Sequence, residues 1–213
     1  MGLDITVVAA DWEHLARIPA GERLDALTDA VHPYFCCASC EEADRAVRSG
    51  WASPLGVPWC AEYRFAGTTG TYVWHFWLAE LWQVARGSAE PGLRDGLDAF
   101  LGGLVWDGPH YDEDAEDPAA EDPPALRGFP DDPEPWRPRL LLGRTPDEVP
   151  ALARAWQEVA PRLAELRGPV AAARFDVRVW PDTFDGATAL MREWGEVVTG
   201  AAARGWGLVG LPY

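Results

Sequence analysis

The chain has 213 residues, 48% of them hydrophobic and 24% charged, an ordinary balance for a domain with a full apolar core. Its net charge is −16 and every one of its 18 basic residues is arginine, so mechanisms that need a lysine ammonium (Schiff base, P-loop) are excluded, and no basic run offers a footprint for nucleic acid. No apolar run reaches the length of about 18 residues that marks a membrane span. The opening "MGLDITVVAADWEHL" lacks a basic stretch ahead of its apolar run and does not read as a secretory signal, so a cytoplasmic protein is expected. The absence of lysine and the richness in Ala, Arg, Gly and Pro point to a GC-rich bacterial source.

In chain order, the β-branched run Ile5–Thr6–Val7–Val8 predicts a strand. "PAGERLDALTDAVHP" predicts a helix burying Leu24, Leu27 and Val31 and stopped by Pro33. "HPYFCCASCEEADRAV" follows. Cys37 and Cys40 form a C-x-x-C to which His32 and Cys60 could add the remaining ligands of a tetrahedral zinc, although the second C-x-x-C of a zinc ribbon is missing. Ser39 and Glu42 form a capping box that opens a helix at about residues 40–49, ended by Gly50, and this helix start accounts for more of the residues. No cofactor is required on this reading, and zinc is the one candidate.

"CAEYRFAGTTGTYVWHFWL" predicts an aromatic-rich hairpin, with Cys60–Ala66 and Thr71–Leu78 as its arms. That register sets Glu62 opposite His75, with Arg64 beside them, and makes these three a candidate acid–base pocket; a structural cross-strand ion pair is the competing reading. "GLRDGLDAFLGGLVW" predicts a helix with Leu93, Leu97, Phe100, Leu101 and Leu104 on one side. Between Asp107 and Glu134 eleven acids face one arginine, Arg127, a net −10 that leaves only about −6 for the rest of the chain. The Pro-rich segment at about 107–138 is expected to be a long loop.

"RLLLG" predicts a short strand. "TPDEVPALARAWQEVAPRLAELRG" predicts a helix capped by Thr145 and Glu148, kinked or split at Pro161 and closed by Gly168. A strand near "ARFDVRVW" follows, and then a helix burying Phe184, Ala187, Leu190, Met191, Trp194, Val197 and Val198. A last apolar strand lies in "WGLVGLPY". Its "GWGLVG" matches the dinucleotide fingerprint in letters only, because a helix precedes it where that motif needs a strand.

The succession of an apolar strand, a "TPDEV"-opened amphipathic helix and "F…L…W…AAARGWGLVGL" over roughly the last 75 residues resembles the C-terminal half of the YfbM-like family of small bacterial proteins. The resemblance implies an α+β fold and carries over no catalytic residue. The full set of elements predicts a single α+β domain over residues 1–213: a mixed or antiparallel sheet containing the hairpin, packed by about four to five helices.

For function, the leading expectation is a binding module, of an interaction, immunity or regulatory type. Its acidic loop would meet a basic protein partner, and its loop tryptophans Trp51, Trp59 and Trp136 would add contact surface, with neither nucleic acid nor membrane as partner. The second expectation is a small enzyme or ligand-binding protein working from the Glu62/Arg64/His75 face.

Overall fold

A computed structural model describes residues 5–31, 49–54, 56–66, 72–106, 129, 141–173 and 183–212. The fold is α+β. Five strands, β1 (Ile5–Ala10), β2 (Gly50–Ala52), β3 (Cys60–Arg64), β4 (Leu142–Arg144) and β5 (Gly207–Pro212), form one sheet in the order β2-β3-β1-β5-β4. Every neighbouring pair is antiparallel. The central strand β1 is buried at all six positions, registered through Val7 against Tyr63 on one side and Gly210 on the other. Alternation sends Ile5, Val7 and Ala9 into one core layer and Val8 and Ala10 into the other.

Helices cover both faces. On the smaller side lie α1 (Trp12–Ala16) and α2 (Arg23–Val31), which bury Leu15, Leu24, Leu27, Ala30 and Val31. Asp11 caps α1 by accepting from the Glu13 and His14 amides at 2.9 and 3.3 Å. The larger side holds α3 (Tyr72–Ala85), α4 (Pro91–Leu101), α5 (Val149–Val159), α6 (Arg167–Ala172) and α7 (Thr183–Arg204). There α4 packs on α5, and α5 on α7. Of the described helices, α2, α3, α4, α5 and α7 have nine or more residues.

Several sequence expectations hold. All seven residues assigned to the buried stripe of α7 are buried. At the start of α5 the capping expectation holds in part: Glu148 accepts from the Thr145 amide at 2.7 Å and from its hydroxyl at 2.9 Å, but the helix begins at Val149 with Glu148, not Thr145, at the N-cap and no side-chain bond to its amides. Pro161 splits the long helical segment. Without an amide proton for the Gln157 carbonyl, the chain tightens to a 3-10 helix over Ala160–Leu166.

Others need correction. The second arm of the hairpin, expected over 71–78, is not a strand at its described residues 72–78, because Tyr72–Ala85 is one continuous helix. Gly168 does not end the helical segment: Pro169 sits in the first turn of α6, where a missing amide proton costs nothing, and the chain stays helical to Ala172. Leu104 is buried but lies in the turn beyond Gly102 rather than on α4. The predicted helix at 40–49, apart from Ser49, and the strand near 174–180 lie outside the described residues, as does the acidic segment apart from Phe129. Among the described residues, no helix is long and apolar enough to cross a membrane.

Candidate functional site

The structure does not bring the three proposed pocket residues together. Glu62 and Arg64 are two apart on β3, so their side chains share a face, and Arg64 Nε donates to Glu62 Oε2 at 2.9 Å. Glu62 stands opposite Val8 and Ala52, not His75. Its neighbour Cys60, on the same side of the strand, belongs to the smaller core layer. His75 projects from α3 into the larger one, on the far side of the sheet. It is 2% exposed, edge-on to Phe65 and Trp194, and its Nδ1 accepts from Trp194 Nε1 at 3.0 Å. That bond assigns the proton of the neutral ring to Nε2. The histidine has the geometry of a core residue, with the sheet between it and the carboxylate proposed for it.

Of the four proposed zinc ligands only Cys60 lies within the described residues; His32, Cys37 and Cys40 lie outside them. Cys60 is a free thiol, 1% exposed, and burial, reinforced by Glu62, pushes its pKa up to about 12. Among the described residues no cluster of three or more His, Cys, Asp or Glu side chains is arranged to hold a metal ion.

Two of the three proposed contact tryptophans are anchored. Trp51 lies edge-on to Tyr63 at 5.3 Å, under the Arg204 guanidinium at 4.8 Å, with its indole in the space a Cβ on Gly200 would occupy. Trp59 stacks on His14 at 4.5 Å and 10°, and its carbonyl accepts from the Asp11 amide at 2.8 Å. Both close edges of the core. Trp136 lies outside the described residues. Tyr63, beside Trp51, donates to Glu196 Oε2 at 2.8 Å; burial and then that carboxylate raise its phenol, which ties β3 to α7 as a fixed donor.

Sequence reasoning missed two features. The first is a cleft of about 450 Å³ on the smaller side of the sheet, walled by Trp12, Leu15, Phe129 and Pro146, with Arg23 and Asp147 supplying charge. Phe129 is buried and meets Trp12 edge-to-face at 5.9 Å. It belongs to the acidic, Pro-rich segment at about 107–138 that is expected from the sequence to be a long loop. Arg23 is held by its Nε, which donates to the Ile18 carbonyl at 3.0 Å, while Asp147 is exposed. The second feature is the outer face of α3, where Val73, Phe76 and Val84 are exposed.

Comparison of the chain with protein-family models, with curated proteins and with solved structures finds no match.

Proposed function

We propose that the protein acts by binding a basic protein partner, with an arginine or lysine side chain of that partner seated in the Trp12–Phe129 cleft. The observation that carries this reading is Phe129. In the sequence it lies within the segment of net charge −10, with Asp131 and Asp132 two and three residues after it, and it forms a wall of a cleft in which aromatic faces meet an exposed carboxylate, Asp147, while the cleft's own cation, Arg23, is tied through its Nε to the Ile18 carbonyl. A cation over an indole gains about 0.5–2 kcal/mol, more as water is excluded, and its aliphatic stem suits the Leu15 and Pro146 walls. The net charge of −16 adds long-range attraction that speeds encounter with a basic surface. The enzymatic alternative rested on a hairpin face, and Tyr72–Ala85 is a helix, so Glu62 and Arg64 are not joined there by His75.

The test is a calorimetric titration with hexa-arginine at about 20 and 500 mM salt, a range over which exposed charges go from coupled to screened. Affinity is expected to fall at least about tenfold at the higher salt. Asp147→Asn should weaken binding at low salt, and Trp12→Leu at both. Binding that ignores ionic strength, or that survives both substitutions, would overturn the reading and leave the cleft to an uncharged small ligand.

A further inference from the structure

The outer face of α3 carries an inference separate from the cleft. From Tyr72 to Ala85 the helix has one carboxylate, Glu80, and no arginine, so it is apolar nearly all the way round. Such a helix is ordinarily enclosed. Here His75, Leu78, Leu81, Trp82 and Ala85 point into the core, but Val73, Phe76 and Val84 are 47%, 44% and 47% exposed, and these are the only exposed large apolar side chains among the described residues. At 100° per residue, Val73, Phe76, Trp77, Glu80 and Val84 fall within an arc of about 100°, with Glu80 near its middle. The stripe rises about 16 Å, roughly three helical turns. Glu80 makes no hydrogen bond or ion pair among the described residues.

We propose that this face docks an amphipathic helical segment of another protein, one that carries a single arginine or lysine among apolar side chains. A cluster of exposed apolar residues on a soluble surface marks an interaction site, and the charge at its centre selects the occupant. A second copy is disfavoured. A two-fold axis through the stripe would bring the two Glu80 carboxylates together while drying them, between bodies of −16 each. An anionic lipid surface is opposed by the same charge. A cation flanked by apolar residues instead pairs with Glu80 while its neighbours cover Val73, Phe76 and Val84, the arrangement in which helices dock through i, i+3, i+4 and i+7 anchors.

The experiment uses the full chain and two fluorescein-labelled amphipathic peptides of about 18 residues, identical except for arginine or glutamate at the centre of the apolar stripe. Fluorescence anisotropy should show saturable binding of the arginine peptide, at least about tenfold tighter than its glutamate twin. Glu80→Gln should erase that discrimination, and Phe76→Ser with Val84→Ser, at exposed positions that leave the core intact, should weaken both peptides. Asp147→Asn, across the sheet in the cleft, should change nothing here, so failure at one surface is distinguishable from failure at the other. The inference is overturned by equal affinity for the two peptides, by no saturable binding, or by binding that survives the double serine variant. Sedimentation equilibrium that shows a dimer dissolved by Phe76→Ser would assign the face to a second copy and equally overturn it.

Discussion

A glycine-to-alanine substitution inside a helix ordinarily stabilises it by about 0.8–1 kcal/mol, because glycine forfeits more backbone freedom on folding. At Gly195, in the interior of α7, the structure predicts the opposite sign. A Cβ there would stand 2.0 Å from Cε2, 2.3 Å from Nε1 and 2.5 Å from Cδ2 of Trp156. Carbon contacts settle near 3.5 Å, so the indole would have to withdraw by about 1.5 Å. It cannot do so freely, because Phe100 of α4 packs against its ring at 5.0 Å. Overpacking of this kind costs about 1–3 kcal/mol. A displacement of about 1.5 Å against a packed ring puts the cost in the upper part of that range, about 2–3 kcal/mol, and subtracting the propensity gain leaves Gly195→Ala destabilising by about 1–2 kcal/mol, a Tm loss of a few degrees for a chain of this size. Urea unfolding of four proteins decides the matter: the parent, Gly195→Ala, Trp156→Ala and the double variant. With the indole gone, alanine at 195 should become favourable, so the cycle gives a coupling of about 2 kcal/mol or more. Gly87→Ala, in a 3-10 turn with nothing within 4 Å of the added methyl, is the control and should be neutral or stabilising. A Gly195→Ala variant as stable as the parent, or equally destabilised with and without Trp156, would refute the packing argument.

Three further outcomes are expected. His75→Leu should cost about 1–3 kcal/mol in urea unfolding, because it strands the buried Trp194 N–H, while His75→Leu combined with Trp194→Phe should recover part of that loss; a histidine with a catalytic role alone would leave stability unchanged. Glu90 caps α4 and is held down to about 2, first by its bond from Arg162 and then by the Gly92 and Leu93 amides. A carboxyl lowered in the folded state contributes stability that is fully present above its ordinary value of 4.5 and lost as pH falls toward 2, so the difference between parent and Glu90→Gln in urea midpoint should shrink over that window and vanish at its acid end. Gly103→Ala should destabilise the β4 edge. Gly103 has φ +68 and its carbonyl accepts from Arg144 Nε and Nη2 at 2.9 and 2.6 Å, with the guanidinium in the space of a Cβ; an unchanged Tm would contradict this.

Much of the fold was legible because the decisive signals are local. The capping pair Thr145 and Glu148, the break at Pro161 and the stripe of α7 each rest on residues within a turn or two of one another. Tyr72–Leu78 misled because its aromatic and β-branched residues favour strands and because "GTTG" imitates a hairpin turn. The arbiter was length. The apolar run continues through Leu81, Trp82, Val84 and Ala85 without a turn signal, and the buried set Leu78, Leu81, Trp82 and Ala85 recurs at i, i+3, i+4 and i+7. Strand alternation over the first seven residues and helical periodicity over all fourteen fit the same letters at the start, and only the longer window separates them.

That one substitution of period dissolved the candidate pocket. Pairing Glu62 with His75 depended on strand parity, and parity has no meaning once His75 lies on a helix whose side chains turn by 100° per residue. The cleft could not have been read at all, since its walls come from residues 12–16, 23, 129 and 145–147, four segments that no motif links. The stripe on α3 is the opposite case. Its excess was visible in the letters: fourteen residues with a single carboxylate are more apolar than one buried face requires, and the surplus must lie on the outside. Burial decides which apolar residues the fold uses, and Val73, Phe76 and Val84 are what it leaves over. Core packing does not use them, and a lone carboxylate such as Glu80 is seldom placed inside a core, so this face is where the proposed helical partner is to be sought.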